Sequence, residues 1–264
     1  MDLPRLIISA PFGNYVQPEG CVATLGTFTA AARGGRMWRI LKTVRYYPRL
    51  RAWVNKIGLR NPGIEWLRSR VARDKIDVAD KLVSVHGFVA EDWYALLEAC
   101  SELRPRAIEL NMSCPNVGEI GWPEDLFPRA VATGVPVIAK LPPVRFETMF
   151  EQAWAAGIRT YHCTNTLPVP SGGLSGAPLK PVALQCIARV RELVADDPEL
   201  RVIGGGGIRA AADVDDYVNA GVHAVAVGTK TMNPKFLVSH RGVEPLRVRA
   251  EERLRDRAGW VYGA

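Results

Sequence analysis

Three short segments combine residue types suited to proton transfer and polar recognition. Asn111-Met112-Ser113-Cys114-Pro115-Asn116 holds a thiol between two amides, Lys140-Leu141-Pro142-Pro143 supplies a cation, and Cys163-Thr164-Asn165-Thr166 adds an amide between hydroxyls. A cysteine thiol ionises near pH ~8.5, and a cationic or polar surrounding favours the thiolate, so Cys114 can accept a proton. Pro115 restricts the residue before it to an extended backbone, which helps to project the Cys114 side chain. Taken on type alone, a cysteine at a strand end is more often a small buried apolar residue, and an asparagine is often a turn residue.

Glycines add a second kind of chemistry. Gly204-Gly205-Gly206-Gly207 and Gly228-Thr229 offer backbone free of side chains, where amide N–H groups can close on a phosphate near a helix N-terminus. Such glycines also serve tight turns, so the signal depends on its company. The loop Ser171-Gly172-Gly173-Leu174-Ser175-Gly176 offers another close backbone approach.

These residues need a scaffold that gathers them at one end. Short apolar runs rich in branched residues recur at Leu6–Ser9, Val22–Phe28, Leu82–Val85, Ala107–Met112, Pro136–Leu141, Thr160–Thr164, Val202–Gly205 and Ala224–Gly228. Helical spacing occupies Glu91–Glu102, Phe146–Ala156, Pro181–Ala195 and Ala211–Ala220 between them, and Gly157 and Gly221 sit where helix-to-strand loops favour glycine. Repeated strand–helix units predict a parallel sheet, and eight of them predict an α/β fold, a (β/α)8 TIM barrel. The chemical segments above then follow strands four to eight, on the face where such barrels carry their sites. Only Gly13–Cys21 separate the first two strands, too few for a full crossover, which predicts a truncated first helix and an open or subunit-covered flank.

The 264 residues, 48% hydrophobic and 23% charged, suit one barrel domain over 1–264. No apolar run is long enough for a membrane span and the N-terminus lacks a signal-peptide layout, so a cytoplasmic protein with no membrane partner is expected. Five cysteines without paired close spacing exclude a disulfide framework and a zinc or iron–sulfur site, and the four histidines show no metal-ligand spacing. His86 ends the third strand, near the expected site; His162, His223 and His240 read as ordinary positions. The net charge of +7 is concentrated in Arg33, Arg36, Arg39, Lys42, Arg45, Arg49, Arg51, Lys56 and Arg60, with no acid among them. Such a run can face an anionic partner but more commonly means a solvated face. No nucleic-acid module accompanies it, and no nucleic-acid partner is expected.

The segments NMSCPN, AKLPP, CTNT, SGGLSGAPLKP and GGGGI, in this order at the ends of strands four to eight, resemble the dihydroorotate dehydrogenase family. The similarity extends to Val22–Thr29 and to Asn55-Lys56-Ile57-Gly58-Leu59-Arg60-Asn61. It implies an oxidoreductase of pyrimidine biosynthesis that uses FMN to oxidise dihydroorotate to orotate, a base removing the C5 proton while hydride leaves C6 for flavin N5. By position the base is Cys114, and Lys140 is the lysine beside the flavin's pyrimidine edge, where positive charge stabilises the reduced ring. Thr27, Ser84, Asn111 and Thr164 resemble flavin-contacting positions, and Gly173, Gly206, Gly228 and Thr229 the phosphate cradle. Asn55, Asn111, Asn116, Asn165 and Thr166 resemble the substrate-holding set, whose amides can read a pyrimidinedione edge. A small-molecule substrate and a homo-oligomer are the partners so implied.

One family feature is missing. A lysine after the first strand or at the second normally meets the orotate carboxylate, and Pro11-Phe12-Gly13-Asn14 and Thr24-Leu25-Gly26-Thr27 stand there instead. Asn14 carries no charge, though a lysine placed there is expected to supply one; Arg33 or Arg36 are the other candidates. A divergent paralogue acting on another small substrate, or a non-catalytic flavin or phosphate binder, are the alternative readings.

Overall fold

The computed structural model describes residues 4–112, 121–232, 236 and 239–261. In chain order the elements are β1 (Leu6–Ile8), β2 (Cys21–Phe28), α1 (Arg36–Thr43), β3 (Arg45–Tyr47), β4 (Ala52–Asn55), α2 (Ile64–Val71), β5 (Leu82–Val85), α3 (Ala90–Leu103), β6 (Ala107–Asn111) and α4 (Leu126–Ala132). They continue with β7 (Val137–Lys140), α5 (Glu147–Ala155), β8 (Thr160–Cys163), β9 (Leu167–Val169), β10 (Gly172–Gly176), α6 (Leu179–Leu193), β11 (Arg201–Gly205), α7 (Ala211–Asn219), β12 (Ala224–Val227) and α8 (Glu244–Leu254).

The eight apolar runs become the eight strands of a closed parallel barrel, in the order β1-β2-β5-β6-β7-β8-β11-β12 and back to β1. Alternation along each strand divides the barrel interior into layers. Ile7, Val22, Leu82, Ala107, Ile138, Ile203 and Ala224 form the lower one, closed from below by Trp260, whose Nε1 donates to the Pro4 carbonyl at 2.9 Å. One layer further up, on β2, β5, β6, β7 and β8, stand Thr24, Ser84, Glu109, Lys140 and His162, all nearly inaccessible, so the layer above is polar on these five strands. The outward residues of the same strands join the helices in the larger hydrophobic core.

The first crossover is indeed clipped to one 3-10 turn, Phe12–Asn14. The expected open flank is not found: β1 pairs with both β2 and β12, and α8 packs over β1 and β12. A second, antiparallel sheet, β3-β4-β10-β9, lies outside the eight-unit pattern and sets Gly173 opposite Asn55. It brings residues 44–57 to the barrel mouth, where Val44, Asn55 and Ile57 line the cleft.

Candidate active site

Two adjoining cavities of about 420 and 190 Å³ open where the barrel strands end and share Asn55, Lys140, Asn165 and Thr166 in their walls. The larger is also lined by Asn14, Tyr15, Thr27, Arg36, Arg60, Trp66 and Asn111, the smaller by His162, Thr164, Ser175, Gly205–Gly207, Gly228 and Thr229. Polar groups thus run from one cavity into the other.

A line of hydrogen bonds crosses the mouth. Asn165 Nδ2 donates to Asn111 Oδ1 at 2.8 Å, Asn111 Nδ2 donates to Thr27 Oγ1 at 3.0 Å, and the Thr27 and Ser84 hydroxyls share a bond of 3.0 Å. The Thr166 N–H in turn donates to Asn165 Oδ1, and Thr164 Oγ1 to the Leu141 carbonyl. Gly26 makes this possible: its φ is +106°, and a Cβ there would come within 2.4 Å of the Ser84 carbonyl, so only glycine lets β2 present Thr27 beside β5. His86 lies just behind, with Nδ1 2.8 Å from the Asn111 carbonyl; burial lowers its pKa, so it supports Asn111 as a neutral ring.

Below the line lies a charged cluster. Glu109 on β6, 1% exposed, accepts from His162 Nδ1 at 2.7 Å and faces Lys140 Nζ at 3.5 Å. Burial alone would raise the Glu109 carboxyl, but the Lys140 charge and the His162 bond outweigh it and hold the group at about 2. Burial and the Lys140 charge both lower His162, which therefore stays neutral and donates from Nδ1. Among the described residues, Lys140 is the lysine or arginine paired with a fully buried carboxylate. The sequence reading missed Glu109 and His162, although a carboxylate two residues before Asn111 and an imidazole two before Thr164 share the inward face of their strands.

The far end of the cleft is backbone. Gly206 has φ +132° and Gly207 +70°, conformations that L side chains rarely adopt. Their N–H groups make no backbone hydrogen bond among the described residues. Gly228 differs: a Cβ there would meet nothing closer than Ser9 Cβ at 3.7 Å, so the space beside it belongs to the cleft.

Of the expected residues, Thr27, Asn55, Asn111, Lys140, Thr164, Asn165, Thr166, Gly206, Gly228 and Thr229 line the cleft. Two do not. Ser84 is fully buried behind Thr27, and Gly173 is spent in the β10–β4 pairing, where its strand neighbour Ser175 reaches the cleft instead. Cys114 and Asn116 lie outside the described residues. The other four cysteines are buried; burial pushes the Cys21 and Cys100 thiols up to about 12, and a thiol contact with Cys186 together with burial raises Cys163.

Asn14 is committed elsewhere: its Nδ2 donates to the Gly26 carbonyl at 2.7 Å and its Oδ1 accepts the Gly26 N–H at 2.9 Å, tying the clipped crossover to β2. Arg33 does not line the cleft; its guanidinium lies 4.4 Å from the Phe88 ring centroid. Arg36, stacked 5.4 Å from the Tyr15 centroid, lines the larger cavity together with Arg60, whose Nη1 donates to the Gly34 carbonyl at 3.2 Å. Arg60 was not singled out from the sequence, because nothing local predicts the fold-back of residues 55–61 over the mouth.

The dihydroorotate dehydrogenase family profile matches residues 17–241. The catalytic subunit of dihydroorotate dehydrogenase B (NAD(+)) from Latilactobacillus sakei is 34% identical over 217 residues, 69% of this chain and 68% of that protein. Its counterpart from Shouchella clausii is 32% identical over 245 residues, 82% of this chain and 77% of that one. Dihydroorotate dehydrogenase A (fumarate) from Limosilactobacillus reuteri is 30% identical over 240 residues, 74% and 75%. Among solved structures, ligand-free DHODH from Eimeria tenella superposes with a TM-score of 0.73 over 98% of this chain and 86% of its own, at 17% identity, a likeness of fold. A barrel with these amides, this lysine and this glycine cradle, matched along most of its length and at above 30% identity, belongs to the dihydroorotate dehydrogenase family.

Proposed function

We propose that the chain oxidises dihydroorotate to orotate with FMN as hydride acceptor. The observation that carries this is the continuity of the cleft, in which the amide line and Lys140 lead into the glycine cradle. The donors fit a flavin that ends in one phosphate: N–H groups at Gly206 and Gly207 that make no backbone hydrogen bond among the described residues, open space at Gly228, and Thr27, Asn111 and Asn165 for a polar ring edge. When bound, FMN supplies a ring that takes up the hydride leaving C6. Lys140, anchored by Glu109, holds fixed positive charge at the ring's pyrimidine edge in a site largely shielded from water, where such a charge acts most strongly. Cys114 takes the C5 proton, a role supported by its motif and by the burial of the four described thiols. Asn55, Asn111, Asn116, Asn165 and Thr166 hold the substrate's amide edges. With no lysine at either customary place, Arg36 and Arg60 meet its carboxylate.

That missing lysine also supports a second reading, in which the same flavin site acts on another small substrate with an activated C–C or C=C bond. Anaerobic addition of dihydroorotate to the flavin-loaded protein separates the two. Bleaching of the flavin with formation of one orotate per flavin is expected; a flavin that stays oxidised with dihydroorotate and bleaches with another substrate favours the second reading. Residues 1–264 acting as one unit, in a cytoplasmic homo-oligomer, complete the proposal, and light scattering of the purified protein reads its assembly. No helix among the described residues is long and apolar enough to cross a membrane.

A further inference from the structure

Helix α1 is turned inside out. At about 100° per residue, Arg36, Arg39, Ile40 and Thr43 fall on one side of it, and these are its partly covered positions; Met37, Trp38, Leu41 and Lys42 fall on the other. Thr43 Oγ1 accepts the Lys56 N–H and Arg39 Nη2 donates to the Lys56 carbonyl, so the arginine-bearing side faces the protein. Met37, Trp38 and Leu41 are 68%, 67% and 70% exposed. The chain then continues through Tyr46, Tyr47 and Leu50, also exposed. A helix meant only for water places its cations outward and its Trp, Met and Leu inward. This one turns Arg36 and Arg39 inward and Met37, Trp38 and Leu41 outward, and adjoining large exposed apolar residues mark an interaction surface.

The charge around this surface identifies its occupant. No acid occurs between Glu19 and Glu65, while the exposed Lys42, Arg45, Arg49 and Arg51 alternate along the chain with the exposed apolar side chains. A second copy docked face to face would set these cations against their own images. Trp, Tyr, Leu and Met interleaved with Arg and Lys, on a short helix that projects its apolar side outward, match the makeup of segments that lie in the headgroup region of an anionic bilayer.

We propose that α1 and the β3 turn rest on an anionic lipid bilayer, with Met37, Trp38 and Leu41 entering the headgroup–acyl boundary and the neighbouring arginines and lysines at the lipid phosphates. The contact is peripheral, since eight residues cannot span a bilayer. It departs from the expectation from sequence that no membrane is a partner, and it is independent of the reaction proposed above. Because Arg36 on the inner side of α1 lines the larger cavity, the contact lies beside the mouth of the site.

The test is co-sedimentation of the purified full-length protein with vesicles of phosphatidylcholine alone or with about one third phosphatidylglycerol. Binding to the anionic vesicles at least ~10-fold stronger than to the neutral ones, and falling with added salt, is expected. Leu41→Glu and Trp38→Glu should each weaken it ~10-fold or more, with circular dichroism and thermal midpoint unchanged because both side chains are mostly exposed. Absence of binding overturns the proposal. So does binding that ignores Leu41→Glu or is matched by soluble polyglutamate, which means charge alone and an acidic protein partner. An oligomer that Leu41→Glu dissociates overturns it as well, because a second copy then covers the face.

Discussion

His162 donates from Nδ1 to Glu109 Oε2 at 2.7 Å inside the barrel, and Lys140 Nζ stands 3.5 Å from the other carboxylate oxygen. One buried carboxylate thus aligns a neutral imidazole and the cation of the site. Removing its charge leaves Lys140 buried without a counter-ion, which typically costs about 3–5 kcal/mol. Glu109→Gln is expected to lower the urea midpoint accordingly and to weaken flavin retention through a displaced Lys140. Unchanged stability and flavin content in the variant would contradict the anchoring role.

Acid should destabilise the protein in two stages. Burial lowers His86 and His162, and burial with nearby arginines holds His223 at about 4. The unfolded chain takes up these protons near pH ~6.5 while the folded one resists, so stability falls as pH drops below that value. Glu109 has the opposite protonation chemistry and the same consequence: its folded value of about 2 lies below the ordinary 4.5, so its contribution is present above pH 4.5 and is lost as pH falls towards 2. Urea midpoints between pH 7 and 4 read the first stage. His223→Asn should flatten that stretch by about 3 kcal/mol at pH 4, and a profile of unchanged slope would remove His223 from the account.

The barrel was legible because each strand is an apolar run followed by a helix or a turn, and all eight strands begin and end within one residue of the runs read from sequence. The second sheet was not, since β3 and β4 sit in a basic stretch and β10 in a glycine loop, and their pairing is settled by long-range register such as Gly173 against Asn55. Helix α1 escaped notice for a related reason: its apolar side meets no core. Within the site, short motifs pointed to Lys140, Asn55, Asn111 and Asn165, which line the cleft. Ser84 was less legible, because residue type cannot say whether a hydroxyl lines a cavity or, as the Ser84 hydroxyl does, bonds to the threonine that lines it.

Gly228 offers a test of the cradle that does not depend on turnover. A Cβ there would have Ser9 Cβ, at 3.7 Å, as its nearest contact among the described residues, and Gly228 lines the cleft. Gly228→Val should keep the apoprotein's thermal midpoint while reducing FMN affinity ~10-fold or more, since a phosphate loses both its space and its N–H contacts. Equal FMN binding by equilibrium dialysis in variant and wild type would place the phosphate elsewhere.

Cys114 is the one cysteine not among the four buried thiols of the described residues. Cys114→Ala is expected to leave FMN bound and to slow its reduction by dihydroorotate by ~10²-fold or more, the usual range for a positioned base. Stopped-flow absorbance under anaerobic conditions measures it, and equal rates would refute the role.

The carboxylate anchor gives the sharpest test of substrate. Arg36 and Arg60 line the larger cavity, and Arg60 is already oriented by the Gly34 carbonyl at 3.2 Å. A charge-assisted hydrogen bond to a carboxylate contributes about 1.5–3 kcal/mol, or roughly 10- to 150-fold. Arg60→Gln and Arg36→Gln should therefore raise KM for dihydroorotate within that range, with kcat falling as well only if the contact also orients the reacting carbon. Placing lysine at Asn14 is expected to fail as a remedy. Both ends of that amide are bonded to Gly26, and losing them frees buried backbone groups at a cost of about 1–3 kcal/mol. The variant should thus melt earlier without binding substrate better. A lower KM in Asn14→Lys, with neither arginine variant affected, would show that the carboxylate lies towards the clipped crossover and that Arg36 and Arg60 serve another purpose.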